Sequence, residues 1–260
     1  MQLDTIRVEK VWGCEHLPAP FADAEPGRPV GEIWFEPKPP VEDLLVKSLF
    51  TSERLSVQVH PDDEPGRRGK TECWLITATE PGAELAVGFK GEVDAETMRA
   101  AALDGTIEEL LEWHTVEPGD FLYVPPGTVH AIGAGVSLIE IQQNSDITYR
   151  LYDYGRPREL HLDEGMAVAD GAPHPAALRN KVAEHGTTML VDRGPFRVAR
   201  CEGALAEGFD DAPLLAIPLD DGVVIAGEAI APGGCAMANM PDDIVSAPGT
   251  RWLAAQSRAG

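Results

Sequence analysis

The sequence predicts a mainly β protein that folds as a sandwich or a barrel. Short apolar runs rich in β-branched and aromatic residues recur along its 260 residues, and such runs are typical of β-strands. The 26 glycines and 22 prolines are spread through the chain and separate these runs with turn signals. Many short strands joined by tight turns predict an all-β architecture.

Strands are predicted most densely in the first part of the chain. They cover residues 44–50, 55–60, 72–77, 85–89, 120–125, 136–143 and 148–154. Alternate side chains of a strand point to opposite faces of its sheet. Polar residues that share the inward face of such a strand are therefore candidates for a functional site.

A short helical insertion near residues 94–113 interrupts this β pattern. Residues 94–105 predict a helix that is capped by Asp94 and stopped by Gly105. Residues 106–113 predict a second helix, because Thr106-x-x-Glu109 has the spacing of a capping box.

The chain divides into two predicted units. Residues 1–165 form the first unit, which includes the helical insertion, and a stretch rich in Pro and Ala follows as a linker. A second, smaller β unit is predicted from 176 to 260, with strands at 187–192, 196–201, 214–219, 222–227 and 243–248.

The charge balance excludes some classes of partner. The chain carries 43 acidic and 21 basic residues, a formal net charge of −22, which disfavours nucleic acids and anionic membranes. An anionic small molecule would need a local positive site. The N-terminus has no apolar signal segment and no run is long enough to cross a bilayer, so we expect a cytoplasmic protein. The four cysteines form no CxxC pair, which argues against a thiolate zinc site.

The strand LSVQVH, residues 55–60, places an amide and an imidazole on one face. Gln58 and His60 alternate with Val57 and Val59, so they point together to the face opposite the valines. An adjacent amide and imidazole on the inward face of a barrel strand could bind a ligand. Taken alone, His60 is more often a hydrogen-bonded structural residue.

A second histidine lies in GDFLYVPPGTVH, residues 119–130, which has the spacing G-x5-P-x-G-x2-H. Gly119 and Gly127 suit turns that need a positive φ, and Pro125 fixes φ at the second turn. These rigid turns could direct His130 into the mouth of a barrel.

Two carboxylates also share the inward faces of apolar strands. Glu72 lies on the same face as Trp74 in GKTECW, and Glu140 lies on the same face as Leu138 and Gln142. A buried carboxylate is costly unless it is paired or bound to a metal. Two imidazoles, a carboxylate and an amide oxygen would suit a divalent metal, and such a site would accept manganese or cobalt as well as zinc.

These motifs together resemble the type I mannose-6-phosphate isomerases of the cupin superfamily. The segments that carry the resemblance are LSVQVHPDD, GKTECW, GDFLYVPPGTVHAI and EIQQNSDITYRLYDYGR, and it covers about residues 10–160. The histidine motif alone would predict only a cupin, whereas Gln58-x-His60 with Lys70-x-Glu72 is specific for the isomerases.

The resemblance implies a double-stranded β-helix, the cupin jelly-roll, with one zinc ion per chain. It places the metal ligands on Gln58, His60, Glu72 and His130 and the catalytic residues on Lys70, Glu140 and Arg150. The implied reaction interconverts mannose 6-phosphate and fructose 6-phosphate through a cis-enediol. The second unit resembles the family's second barrel only weakly, and residues 231–241 lack His and Glu, so we expect no metal there.

Several alternatives stay open at this point. The general acid/base could be Glu140, Lys70 or a water held by the metal. Arg150 could bind the phosphate or stabilise the enediolate. The chain could instead be an iron-dependent cupin oxygenase, a non-catalytic sugar-binding cupin, or an isomerase of another aldose or its phosphate. The oligomeric state is not predicted.

Overall fold

The computed structural model describes residues 1–22 and 28–258 and is built almost entirely from antiparallel strands. The first strands are β1 Thr5–Cys14, β2 Val30–Phe35, β3 Leu44–Phe50, β4 Val57–Val59, β5 Glu72–Thr79, β6 Glu84–Phe89, β7 Leu111–Thr115, β8 Asp120–Val124, β9 His130–Ile132, β10 Val136–Gln143, β11 Tyr149–Tyr152 and β12 Arg179–Lys181. The later strands are β13 Thr188–Arg193, β14 Phe196–Glu202, β15 Leu214–Pro218, β16 Val223–Ile225, β17 Glu228–Ile230, β18 Ala236–Ala238, β19 Ile244–Ser246 and β20 Arg251–Ser257.

The helices are few and short. They are α1 Ala95–Asp104, α2 Ile107–Leu110 and α3 Leu162–Val168, with 3₁₀ turns at Ala176–Leu178 and Pro241–Asp243. Within the described ranges, no helix has the length and hydropathy that crossing a membrane requires.

Two sheets form the first barrel. A seven-stranded sheet has the order β1-β2-β3-β10-β5-β8-β12, and a five-stranded sheet has the order β11-β4-β9-β6-β7. Apolar side chains of both sheets meet in one buried cluster, which includes Trp74 and Leu138 from the larger sheet and Leu85 and Ile132 from the smaller. The predicted double-stranded β-helix is confirmed by this arrangement and by its structural relatives described below.

The central strands of the larger sheet, β3, β5 and β10, are largely buried on both faces. On β5, Trp74 points into the barrel, whereas Cys73 and Leu75 join an outer cluster with Phe196 and Leu215 of later strands. The sequences of strands that are buried on both faces are mostly apolar along their whole length. The sequences of β3, β5 and β10 have this pattern.

The later strands form a second, smaller β unit. Its sheets have the orders β13-β14-β20-β15-β18 and β17-β16-β19, and its interior is apolar around Trp252 and Cys201. No His–Glu cluster that could hold a metal occurs in the described part of this unit.

The helical insertion differs in part from its prediction. In α1, the Asp94 carboxylate accepts a hydrogen bond from the Thr97 N–H at 2.8 Å, and Gly105 ends the helix with φ of +86°. The second helix ends at Leu110 rather than 113, and Thr106 makes no capping-box contact. Residues 111–115 instead pair with β6, because the fully buried Leu111 is held by tertiary packing that overrides local helix propensity.

A strand from the predicted second unit, 176–260, pairs with the first barrel. Residues 179–181 form β12, which lies beside β8 of the larger sheet. This strand covers a sheet edge that would otherwise have unpaired backbone groups. Helix α3, which packs beside β11 and α1, was not predicted.

Candidate metal centre

Strands from both sheets bring polar side chains together inside the barrel. Gln58 of β4 lies directly opposite His130 of β9, and His60 follows β4 immediately. Glu72 begins β5 on the facing sheet. Paired residues of antiparallel strands project to the same face, so the alternation read from the sequence directs these side chains inward.

His60, Glu72 and His130 form a compact cluster. Their nearest ligand atoms all lie within 4.8 Å of one another. The Glu72 Oε2 atom is 3.6 Å from His60 Nε2, and Glu72 Oε1 is 3.3 Å from His130 Nε2. Each of the three residues is at most 2% exposed. The cluster is therefore closed to bulk water.

Backbone carbonyls orient both imidazoles. The Nδ1 atom of His60 is 2.9 Å from the Ile147 carbonyl, and Nδ1 of His130 is 2.9 Å from the Thr128 carbonyl. A carbonyl can only accept, so Nδ1 carries the proton and Nε2 presents a lone pair to the cluster. Burial lowers the pKa of His130 to about 4 and, together with Lys70, lowers that of His60 well below its usual range. Both rings are neutral, as metal ligation requires.

The Glu72 carboxylate lacks the hydrogen bonds that its burial requires. Among the described residues, neither oxygen accepts a well-aligned hydrogen bond, although Lys70 Nζ lies 2.7 Å from Oε2. Burial raises the pKa of Glu72, and Lys70 opposes this effect. Two imidazole lone pairs that converge on an unsatisfied carboxylate fit a divalent cation.

Gln58 lies next to this cluster, but its amide nitrogen, rather than its oxygen, faces His130. Its Nε2 atom lies 3.2 Å from His130 Nε2, and its oxygen faces the Ser56 hydroxyl at 3.3 Å. The predicted oxygen ligand thus faces away in this structure. A half-turn of the amide would exchange the two atoms without moving the backbone.

Two of the predicted catalytic residues, Lys70 and Glu140, contact the cluster or each other. Lys70 Nζ is 3.1 Å from His60 Nε2 and 4.0 Å from Glu140 Oε1. Burial opposes protonation of Lys70, but Glu72 and Glu140 raise its pKa above the usual value. Both residues are at most 5% exposed, so their charges interact in a medium of low polarity.

Arg150 lies on β11, which pairs with β4. It pairs with Gln58 across β4 and β11, so both side chains project to the inner side. Its Nη1 donates to the Glu159 carbonyl at 2.9 Å, and its Nε is buried without a partner among the described residues. Among the described residues, the hydrogen bonds of Arg150 go to His161 and Glu159 and not to the cluster.

Lys47 belongs to the site and was missed by sequence reasoning. Its Nζ lies 3.0 Å from Glu140 Oε1 and donates to Gln142 Oε1 at 2.6 Å. The signal was available in LLVKSLF, where a lysine interrupts a strand that is buried at every position. A lysine there must have a buried partner.

Comparison with known proteins agrees with this geometry. No protein-family model matches the chain. The mannose-6-phosphate isomerase ManA of Bacillus subtilis (strain 168) is 39% identical over 207 residues, which are 73% of this chain and 65% of that protein. A further B. subtilis protein, named "Probable mannose-6-phosphate isomerase GmuF", is 36% identical over 211 residues, 64% of this chain and 67% of its own length.

The chain belongs to the mannose-6-phosphate isomerase family. Among solved structures, the mannose 6-phosphate isomerase from Bacillus subtilis superposes with a TM-score of 0.77 at 27% identity, covering 98% of both chains. The matched region spans less than two thirds of the length of the curated isomerases from B. subtilis (65%) and Streptococcus mutans (57%). Membership of the mannose-6-phosphate isomerase family confirms the resemblance seen in the motifs.

Proposed function

We propose that this chain is a metal-dependent aldose–ketose isomerase that interconverts mannose 6-phosphate and fructose 6-phosphate through a cis-enediol. The observation that carries the proposal is the buried cluster of His60, Glu72 and His130 with Lys70 in contact with it. Two neutral imidazoles and a carboxylate suit zinc, and we propose one zinc ion per chain.

When bound, zinc would act as a Lewis acid that stabilises negative charge on the C1 or C2 oxygen of the sugar. His60, Glu72 and His130 would hold it, and Gln58 would add an oxygen after its amide turns. Lys70 is protonated beside them and can donate a hydrogen bond to the same developing oxyanion.

The reaction also needs a group that moves a proton between C1 and C2. Glu140 is held ionised: burial raises its pKa, but Lys47 and Lys70 outweigh this effect and lower it to about 2. A carboxylate with so low a pKa is a weak base. We therefore assign Glu140 to orienting Lys70. Because Lys70 is protonated, we assign it to donating a proton or hydrogen bond to the sugar oxygens, and we assign removal of the carbon-bound proton to a water molecule held at the site.

We propose that Arg150 binds the phosphate group. A guanidinium presents several N–H donors in a planar fork that matches phosphate oxygens, and Arg150 projects to the same face as Gln58. The net charge of −22 repels an anionic substrate at long range. A local cation would offset that repulsion.

The test is an isomerisation assay with mannose 6-phosphate before and after chelation, with zinc then added back. We expect activity to be lost with the metal and to return with zinc. Absence of activity in fully zinc-loaded protein would contradict the proposal. Binding of the sugar phosphate without turnover would instead indicate a sugar-binding cupin, and consumption of oxygen with iron would indicate an oxygenase.

A further inference from the structure

Lys47 is a buried cation that contacts no predicted metal ligand. It lies on β3, opposite Glu140 of β10, and is 6% exposed. Its ammonium contacts the Glu140 carboxylate and the Gln142 oxygen, and it lies 4.9 Å from the centre of the Trp34 ring. A buried lysine is stable only where such partners compensate for lost hydration.

These contacts surround the Lys47 ammonium on three sides. Two of these sides face the oxygens of Glu140 and Gln142, and the Trp34 ring offers a cation–π contact. Gln142 cannot readily turn away, because its Nε2 donates to the carbonyls of Gln143 and Ser145, each at 2.8 Å. The Lys47 ammonium is therefore held on the Glu140 carboxylate and the Gln142 amide oxygen.

We infer that Lys47 is a positioning residue: it holds Glu140 so that Lys70 remains at Glu72 and His60. The inference rests on the proposed isomerase function. Glu140 lies between the Lys47 ammonium and the Trp74 indole N–H, which donates to Oε2 at 3.1 Å. Lys70 Nζ is 4.0 Å from Glu140 but 2.7 Å from Glu72.

Removal of Lys47 would leave two buried carboxylates to share one lysine. Lys70 would then move toward Glu140 and away from the metal cluster. The titratable groups that face Glu140 are Lys47 on β3, Lys70 before β5, Glu72 on β5 and His130 on β9. Of these, Lys47 and Lys70 are the two whose ammonium groups lie within 4.0 Å of the Glu140 carboxylate, at 3.0 and 4.0 Å.

The kinetic test compares Lys47→Met with wild type and with Glu140→Gln, all zinc-loaded. We expect Lys47→Met to lower kcat about 100-fold, as a displaced catalytic group does, while KM for mannose 6-phosphate changes little. In the Glu140→Gln background, Lys47→Met should change kcat by no more than about twofold, because its target is gone. Lys90→Met, at an exposed lysine, controls for the lost charge.

A second readout does not depend on turnover. In protein labelled with carbon-13 glutamate, NMR titration follows Glu140, which is assigned by its loss in Glu140→Gln. We expect the Glu140 pKa in Lys47→Met to rise by at least about one unit, because a cation in direct contact has been removed.

The inference would be overturned if the double variant lost kcat by the product of the two single losses. It would also be overturned if the pKa of Glu140 were the same in Lys47→Met as in wild type. If wild type does not isomerise mannose 6-phosphate, the proposed function fails, and the carboxyl titration still decides the role of Lys47. If Lys47→Met does not fold, Lys47→Gln, which can keep a hydrogen bond to Gln142, undergoes the same two tests.

Discussion

Glu72 and its two histidine neighbours illustrate how single residues define this site. The carboxylate is almost fully buried, and Lys70 is its sole cationic contact among the described side chains. Burial of a charge without full compensation costs several kcal/mol, about as much as a core mutation. The arrangement is explained if a divalent cation completes the compensation.

We expect Glu72→Gln to lower zinc affinity by at least about 100-fold. Removing a metal ligand should lower metal affinity by more than the 10- to 100-fold loss that follows mutation of residues that only orient the ligands. Isothermal titration calorimetry with zinc measures the change, and Glu117→Gln, at an exposed position, is the matched control. Equal affinity of Glu72→Gln and wild type would exclude Glu72 as a ligand.

The orientation of Gln58 makes a separate prediction. We expect Gln58→Glu to bind zinc at least as tightly as wild type, because either carboxylate oxygen can face His130 Nε2, where the amide nitrogen now lies. Activity should fall, because the added negative charge reduces the Lewis acidity of the metal. Zinc affinity and kcat measured on the same variant separate these effects, and weaker zinc binding would contradict the prediction.

At the scale of elements, α1 shows how local signals determine a helix. Its first turn is capped by Asp94, and hydrogen bonds from Thr97 lower the pKa of that carboxyl. A carboxyl whose pKa is lower in the folded state than in the unfolded state stabilises the fold at pH values above the unfolded-state pKa. This stabilisation is lost as pH falls through the folded-state pKa.

We therefore expect the stability difference between wild type and Asp94→Asn to depend on pH. Asparagine also accepts a cap hydrogen bond but does not titrate in this range. Near neutral pH wild type should be the more stable protein. Its advantage should begin to decline as pH falls below about 4 and should vanish once pH is below the lowered pKa of the folded state. Thermal denaturation of both proteins across this range measures it, and a difference independent of pH would refute the role of the charge.

The end of α1 depends on both backbone geometry and packing. Gly105 has φ of +86°, and a Cβ there would lie 2.9 Å from the Tyr152 hydroxyl. We expect Gly105→Ala to destabilise the protein by more than about 1 kcal/mol. Gly82→Ala is the control, since Gly82 has φ of +79° with open space around it. Equal destabilisation in urea unfolding would show that the Tyr152 contact contributes nothing.

On the scale of the whole molecule, one apolar cluster joins the two β units. Cys73 and Leu75 of the larger sheet pack in it with Phe196 and Leu215 of the second unit. We propose that residues 1–181 and 188–260 are the two domains of the chain, and that each needs the other to cover its apolar face.

We expect Phe196→Ala to destabilise both domains together by about 3–5 kcal/mol, because Phe196 is fully buried in the shared cluster. Urea unfolding followed by tryptophan fluorescence and by loss of bound zinc should give coincident transitions. Val245→Ala, at an exposed site in the second unit, is the control. Loss of the second unit's structure while zinc remains bound would contradict this coupling.

Much of the site could be predicted because alternation along a strand is a local property. The inward direction of Gln58, His60, Glu72 and Glu140 follows from which neighbours are apolar, and the turn residues before His130 determine where its strand begins. The helix between Asp94 and Gly105 was likewise predictable, since its cap and its stop lie within its own segment.

Tertiary structure alone decided the features that depend on distant partners. Residues 111–115 became a strand because β6 offers a pairing edge, and residues 179–181 became one because β8 does. The role of Lys47 depends on Glu140, which lies 93 residues away in the chain. The sequence by itself thus determined the family, the mainly β class and the inward-facing polar side chains of the candidate metal site. The lysine–carboxylate pairing was decided by the register of strands that meet only in the folded barrel.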